Sequence, residues 1–246
     1  MALTSSPDVQ RVLLDVQALD TTLQQIAHRE RALPERVAVE ALAAETDVLR
    51  EFVIRRRGEL EDARIELGRV ESDVQLVEAR IARDSDRLQS SSSVKDIAGL
   101  EHELDSLRGR LGDLEEIELS VMEKVETLES ELGSAVGALD AHLQQLAGAQ
   151  AARDAALAVI AEEVVTARSQ RATIVAGVPD DLMALYEKQR DRYGVGASHL
   201  RARISSASGV ELTGRDLATV RASAPDVVLL CPDSNAILVR TDESGL

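Results

Sequence analysis

A three-and-four spacing of apolar residues runs through most of the first 167 positions and leaves little freedom in how this chain folds. It passes through Val9, Leu13, Val16, Leu19, Leu23 and Ile26, resumes at Leu33 and Val37, and continues along Leu60, Ala63, Leu67, Val70, Val74, Val77, Ile81 and Leu88. A half-buried strand alternates every second residue, so this rhythm is the heptad seam of one helix lying along another. Composition points the same way. Hydrophobic residues make up 44% of the 246 positions, but two Tyr, one Phe and no Trp leave out the bulk that usually fills a rounded core.

The seam is punctuated in a readable way. Ser6-Pro7-Asp8 offers an N-cap, a proline at the first helical position and an early acid for the helix dipole. Pro34 lacks an N–H and predicts a kink or short interruption near residues 30–34. The run Gln89-Ser90-Ser91-Ser92-Ser93 removes apolar contacts, and Ser93 with Asp96 resembles a capping box, so a reversal falls near residues 89–95. From Leu100 the rhythm returns through Leu104, Leu107, Leu111, Leu114, Val121, Val125, Leu128, Leu132, Ala135, Leu139 and Leu146, and then Leu157, Ile160, Val164 and Ala167. Two arms of similar length imply an antiparallel pair. Glu118, His142 and Arg153 occupy seam positions, and Gly112, Gly133, Gly137 and Gly148 each cost about 1 kcal/mol of helix propensity, so the coil is imperfect and pliable.

Gly177 and Pro179 mark a boundary, after which a third helix is expected over about 179–193 until Tyr193-Gly194 stops it. The last fifty residues change character. β-prone pieces appear at residues 200–204, 227–230 and 237–239, residues 213–222 read as a short helix capped by Thr213, and Pro232-Asp-Ser-Asn235 is a turn. The division is therefore residues 1–175 for the hairpin, 176–196 for a connecting helix, and 197–246 for a small module.

The formal charge of −16 repels phosphate in general, which argues against broad adhesion to nucleic acid or an anionic membrane. A local exception lies between 188 and 221, where Lys188, Arg190, Arg192, Arg201, Arg203, Arg215 and Arg221 outnumber three acids. Aromatic residues for base stacking are nearly lacking there. The single cysteine, Cys231, excludes an internal disulfide, and no apolar stretch is long enough to span a bilayer, so a cytoplasmic location is expected. No phosphate-binding loop, nucleophile elbow or zinc-protease pair is present, and His28, His102, His142 and His199 are scattered. No catalytic residues and no enzyme are expected.

The stretches Val178-Pro-Asp-Asp-Leu-Met-Ala-Leu-Tyr-Glu-Lys, Val195-Gly-Ala, Glu211-Leu-Thr-Gly and Ile237-Leu-Val-Arg-Thr-Asp-Glu-Ser-Gly-Leu246 resemble actinobacterial members of a bacterial family. That family joins a long antiparallel coiled-coil hairpin to a C-terminal C4-type zinc ribbon. The resemblance places Ser205-Ser-Ala-Ser208 and Cys231-Pro-Asp-Ser234 where the family has its two Cys-x-x-Cys knuckles. A hydroxyl is a poor zinc donor, so with Ser205, Ser208 and Ser234 beside Cys231 no metal or other cofactor is expected. The fold class is thus mainly α: a coiled-coil helical hairpin plus a small α+β zinc-ribbon-like module lacking zinc. Such a module would be marginal alone and should lean on helix 179–193 or the base of the hairpin.

The resemblance implies binding roles, with protein partners such as secretion or flagellar chaperones and a transcription factor, or with messenger RNA. Two expectations follow. One is a non-catalytic adaptor that binds protein partners through the hairpin and the C-terminal module. The alternative is RNA or DNA binding through the basic patch of residues 188–221. No membrane contact is expected, and the seams close within a monomer or across a homodimer.

Overall fold

The computed structural model describes residues 3–246. Its helices are α1 (Pro7–Arg31), α2 (Pro34–Ser90), α3 (Val94–Val175), α4 (Asp180–Tyr193) and α5 (Gly214–Ala222). Four short strands, β1 (Ala197–Arg201), β2 (Ile204–Ser205), β3 (Leu229–Leu230) and β4 (Ile237–Val239), and a 3-10 turn at Asp242–Ser244 complete it.

The helix boundaries follow from capping chemistry. Ser6 Oγ accepts the Val9 N–H at 3.4 Å, with Pro7 in the first turn. Pro34 opens α2, where its missing N–H costs nothing, so the break is confined to Ala32 and the buried Leu33. Ser93 Oγ accepts from the Asp96 N–H and starts α3. Pro179, expected as the first residue of the third helix, is instead its N-cap: its ψ of 141° is extended, and α4 begins one residue later. Gly194 ends α4 with a left-handed φ of 83°, its N–H donating to the Arg190 carbonyl at 2.8 Å.

The chain forms two compact units. In Glu35–Ala151, α2 and the first part of α3 run antiparallel. Leu60 and Ala63 pack on Leu128, flanked by Val125 and Leu132. Ion pairs cross the same seam: Arg56 with Glu131 at 3.4 Å, Arg64 with Glu129 at 2.6 Å, Lys124 with Glu66 at 3.0 Å, and Arg80 with Glu103. His142 accounts for its seam position by placing Nε2 3.2 Å from the Leu42 carbonyl.

The other unit comprises the chain up to Pro34 together with Ala152–Leu246. Here Ile26 and Leu33 meet Ile160 on the end of α3. The strands form one sheet in the order β2-β1-β4-β3, with β1 parallel to β4 and the outer pairs antiparallel. Strand alternation divides the sheet between two cores. Ala197, Ile237 and Val239 join Leu13 and Val16 of α1 and Leu182, Met183 and Tyr186 of α4. Leu200 and Leu238 point the other way and meet Leu217 and Val220 of α5, with Leu212 and Cys231. The small module therefore shares one of its cores with α1 and α4.

Two strand expectations are corrected. The β-prone piece at 200–204 is a hairpin, because Ala202 and Arg203 sit at positive φ (46° and 68°) and turn β1 into β2. Carbonyls of Glu243 and Ser244 accept their N–H groups at 2.7 and 2.9 Å. The piece at 227–230 shortens to Leu229–Leu230 because the chain before it is used differently. Val227 bridges Thr4, Val228 N–H donates to the Leu3 carbonyl, and Ser5 N–H donates to the Asp226 carbonyl.

Candidate functional site

Three groupings of polar side chains are built into the unit that holds the sheet. The first surrounds Cys231. Its thiol is fully buried and donates to Ser205 Oγ at 3.3 Å, and Ser205 Oγ lies 2.7 Å from Ser198 Oγ. Burial opposes ionisation of Cys231, yet the Ser205 and Ser234 hydroxyls and the backbone of Ser234 and Asp233 hold the thiol below its ordinary range. The two turns are alike: Gly209 N–H donates to the Ser205 carbonyl at 2.8 Å and Asn235 N–H to the Cys231 carbonyl at 2.9 Å. Gly209 and Asn235 both have positive φ, 68° and 57°. Ser208 stands apart, accepting the Val210 N–H at 3.3 Å.

A zinc ion does not fit this donor set. Three of the four residues offer neutral hydroxyls, and Ser205 is engaged by Ser198 and by the thiol itself. Hydrogen bonds among Ser198, Ser205 and Cys231 tie the two turns together.

The second grouping is a buried charge cluster that the sequence reading missed. Asp20 is 5% exposed and accepts from Arg171 Nε at 2.7 Å and Nη2 at 3.1 Å, from Arg190 Nη1 at 3.1 Å, and from the Tyr186 hydroxyl at 2.7 Å. Glu187 closes the ring, 2.5 Å from Arg171 and 2.7 Å from Arg190. Burial raises the pKa of Asp20, but its hydrogen bonds outweigh that and hold it below the usual carboxylate value. Hydrogen bonding to Asp20 raises Arg171, and burial with the same carboxylate raises Tyr186. Gln17 Oε1 extends the cluster by accepting from Tyr186 and from the N–H groups of Gly196, at 2.7 Å, and Ala197. These bonds join α1, α3, α4 and the start of β1. The available signal was a register one: Leu13, Val16 and Asp20 keep the three-and-four spacing, which puts the acid in the seam and leaves Leu19 at its side.

The third grouping is the basic patch, which the structure divides. Arg190 belongs to the Asp20 cluster. Arg201 pairs with Glu243 at 2.9 Å, and Arg203 lies 3.9 Å from Glu211. Arg192 stacks over the Tyr193 ring at 5.3 Å. Lys188, Arg215 and Arg221 are exposed and form no ion pair among the described residues. Arg240, not singled out from sequence, donates to five carbonyls, those of Val220, Ser223, Ala224, Pro225 and Val227, at 2.8 to 3.3 Å. It satisfies carbonyls at the end of α5 and in the chain that follows it.

Fold and sites together define a coiled-coil hairpin protein with a small mixed-sheet module and a hydrogen-bonded pair of turns. The chain belongs to the family of the CT398-like coiled coil hairpin domain, whose model matches residues 16–194. It is 37% identical to an uncharacterized protein of Mycobacterium tuberculosis over 95% of this chain and 96% of that one. An uncharacterized protein of Mycobacterium leprae is 28% identical over 89% of this chain and 95% of its own. A solved structure from Mycobacterium smegmatis has a TM-score of 0.87 and 33% identity, covering 97% of this chain and 100% of that one. The structure of CT398 from Chlamydia trachomatis has a TM-score of 0.68 at 18% identity, covering 94% and 97%, and shares the fold. Among the described residues no helix is long and apolar enough to cross a membrane.

Proposed function

We propose that the chain is a non-catalytic adaptor that docks protein partners on its helical hairpin, with the metal-free C-terminal module as a second contact surface. The observation that carries this reading is a row on α2. Ile54, Ile65 and Leu76 are 70%, 47% and 65% exposed and recur every eleven residues. Eleven residues make three helical turns at about 3.67 per turn, so the three side chains line one face. They sit among charged residues, which suits a contact surface that must also stay in solution.

The test is capture from native lysate by the full chain and by Ile54→Glu/Ile65→Glu/Leu76→Glu. The expected result is a reproducible protein partner that the triple variant loses while keeping its helical circular dichroism. No partner for the full chain, or equal capture by the variant, would contradict the reading. Nucleic-acid binding through residues 188–221 is the weaker alternative. Of its seven cations, Arg190, Arg201 and Arg203 are already engaged by carboxylates. RNA recovered in the same captures, and lost on changing Lys188, Arg215 and Arg221 to Ala, would favour it.

A further inference from the structure

Where the start of α1, the end of α5 and the chain after β4 come together, they enclose an open cavity of about 410 Å³. Its charged walls are Arg11, Arg221, Arg240 and Asp242, and its apolar walls include Val220 and Pro225. All of them belong to one compact unit. In a chain of net charge −16, this cavity carries a local excess of positive charge. Arg11 lies most of the chain away from Arg221, so no local pattern in the sequence joins them.

The three guanidiniums differ in what they have to offer. Both Nη atoms of Arg240 donate to backbone carbonyls, so it adds field more than free donors. Arg11 and Arg221 are exposed, and among the described residues neither has an ion pair or side-chain hydrogen bond. A free guanidinium presents parallel N–H groups spaced for two oxygens of one phosphate. Two of them match a phosphate monoester, which carries about −1.5 to −2 near neutral pH, better than a singly charged carboxylate or phosphodiester. The cavity exceeds the size of a bare phosphate and lies within the range of small-ligand sites, leaving the exposed Pro225 and Leu246 to meet an apolar remainder.

We propose that this cavity binds a phosphate monoester, gripped by Arg11 and Arg221 in the field of Arg240. The ester is either a free small molecule or a phosphorylated side chain of a partner. Isothermal titration of the full chain at low salt with phenyl phosphate and with a phosphoserine peptide tests it. Saturable binding of at least one probe is expected, weakened about tenfold or more in Arg11→Gln/Arg221→Gln, whose thermal unfolding should match that of the parent. Tighter binding of the peptide assigns the ester to a partner's modified side chain, and tighter binding of phenyl phosphate to a free ligand; either supports the site. Absence of saturable binding for both probes, or binding that the double variant leaves unchanged, overturns it.

Discussion

Replacing Asp20 with Ala should lower the unfolding free energy of the unit around it by about 3–5 kcal/mol, because it strands buried positive charge. Arg171 and Arg190 both lean on this carboxylate; Glu187 would remain to answer both guanidiniums, with only the exposed Asp191, 3.5 Å from Arg190, beside it. The Tyr186 hydroxyl would lose its 2.7 Å acceptor as well. Urea denaturation of the full chain, followed by circular dichroism, reads the change; a loss below about 1 kcal/mol would mean that the cluster is solvated or rearranges freely.

The same residue sets a pH dependence. Burial opposes the charge on Asp20, but hydrogen bonds from Arg171, Tyr186 and Arg190 hold its native pKa below the ordinary value of 3.8. The unfolded chain therefore takes up this proton first as pH falls. The stabilisation is fully present above the unfolded value and is lost as pH drops through 3.8 toward the depressed native pKa. The stability gap between parent and Asp20→Ala should accordingly narrow between about pH 6 and about pH 3. A gap that widens on acidification would contradict the assignment of Asp20 as the ionised centre.

The second large effect is expected at Gly196. A Cβ there would stand 2.5 Å from Cε2 and 2.7 Å from Cδ2 and Cζ of Tyr186. Neither side can yield easily. Gly196 N–H is held by Gln17 at 2.7 Å and its carbonyl accepts from Ile237 N–H at 2.9 Å, while the tyrosine is anchored through its hydroxyl. Gly196→Ala should cost about 1–3 kcal/mol by overpacking. Adding Tyr186→Leu, which removes the ring, should make the pair cost less than the sum of the single changes. Additive effects, or a neutral Gly196→Ala, would show that the ring does not press on this backbone.

The long helices were legible because each one is written in local terms: a cap at Ser6, a proline at 34, four serines at the reversal, and a seam that names which face is buried. The match of expected and observed breaks at residues 32–33 and 91–93 comes from that redundancy. The short strands were less so, since a two-residue strand carries almost no period. Positive φ at Ala202 and Arg203, where glycine or asparagine is the usual signal, hid the hairpin between β1 and β2. The pairing of Leu3 and Thr4 with residues 227–228 could not be read at all, because its two sides lie at opposite ends of the chain.

Site residues divide in the same manner. Ser205 and Cys231 were legible as a pair through the resemblance, and the structure brings them within 3.3 Å. Ser208 kept its place in the pattern but faces its own turn. The basic patch counted charges along the chain and could not see that Arg190 reaches back to Asp20. Arg240 went unnoticed because its partners are carbonyls, which leave no trace in sequence.

The two long seams close on each other within one chain. Carbodiimide coupling of a mixture of isotopically labelled and unlabelled full-length protein, read by mass spectrometry, tests it through the Lys124–Glu66 contact at 3.0 Å. A Lys124–Glu66 amide joining residues of the same isotope, in monomeric protein, is the predicted product. The same linkage found between labelled and unlabelled chains alone would contradict the account.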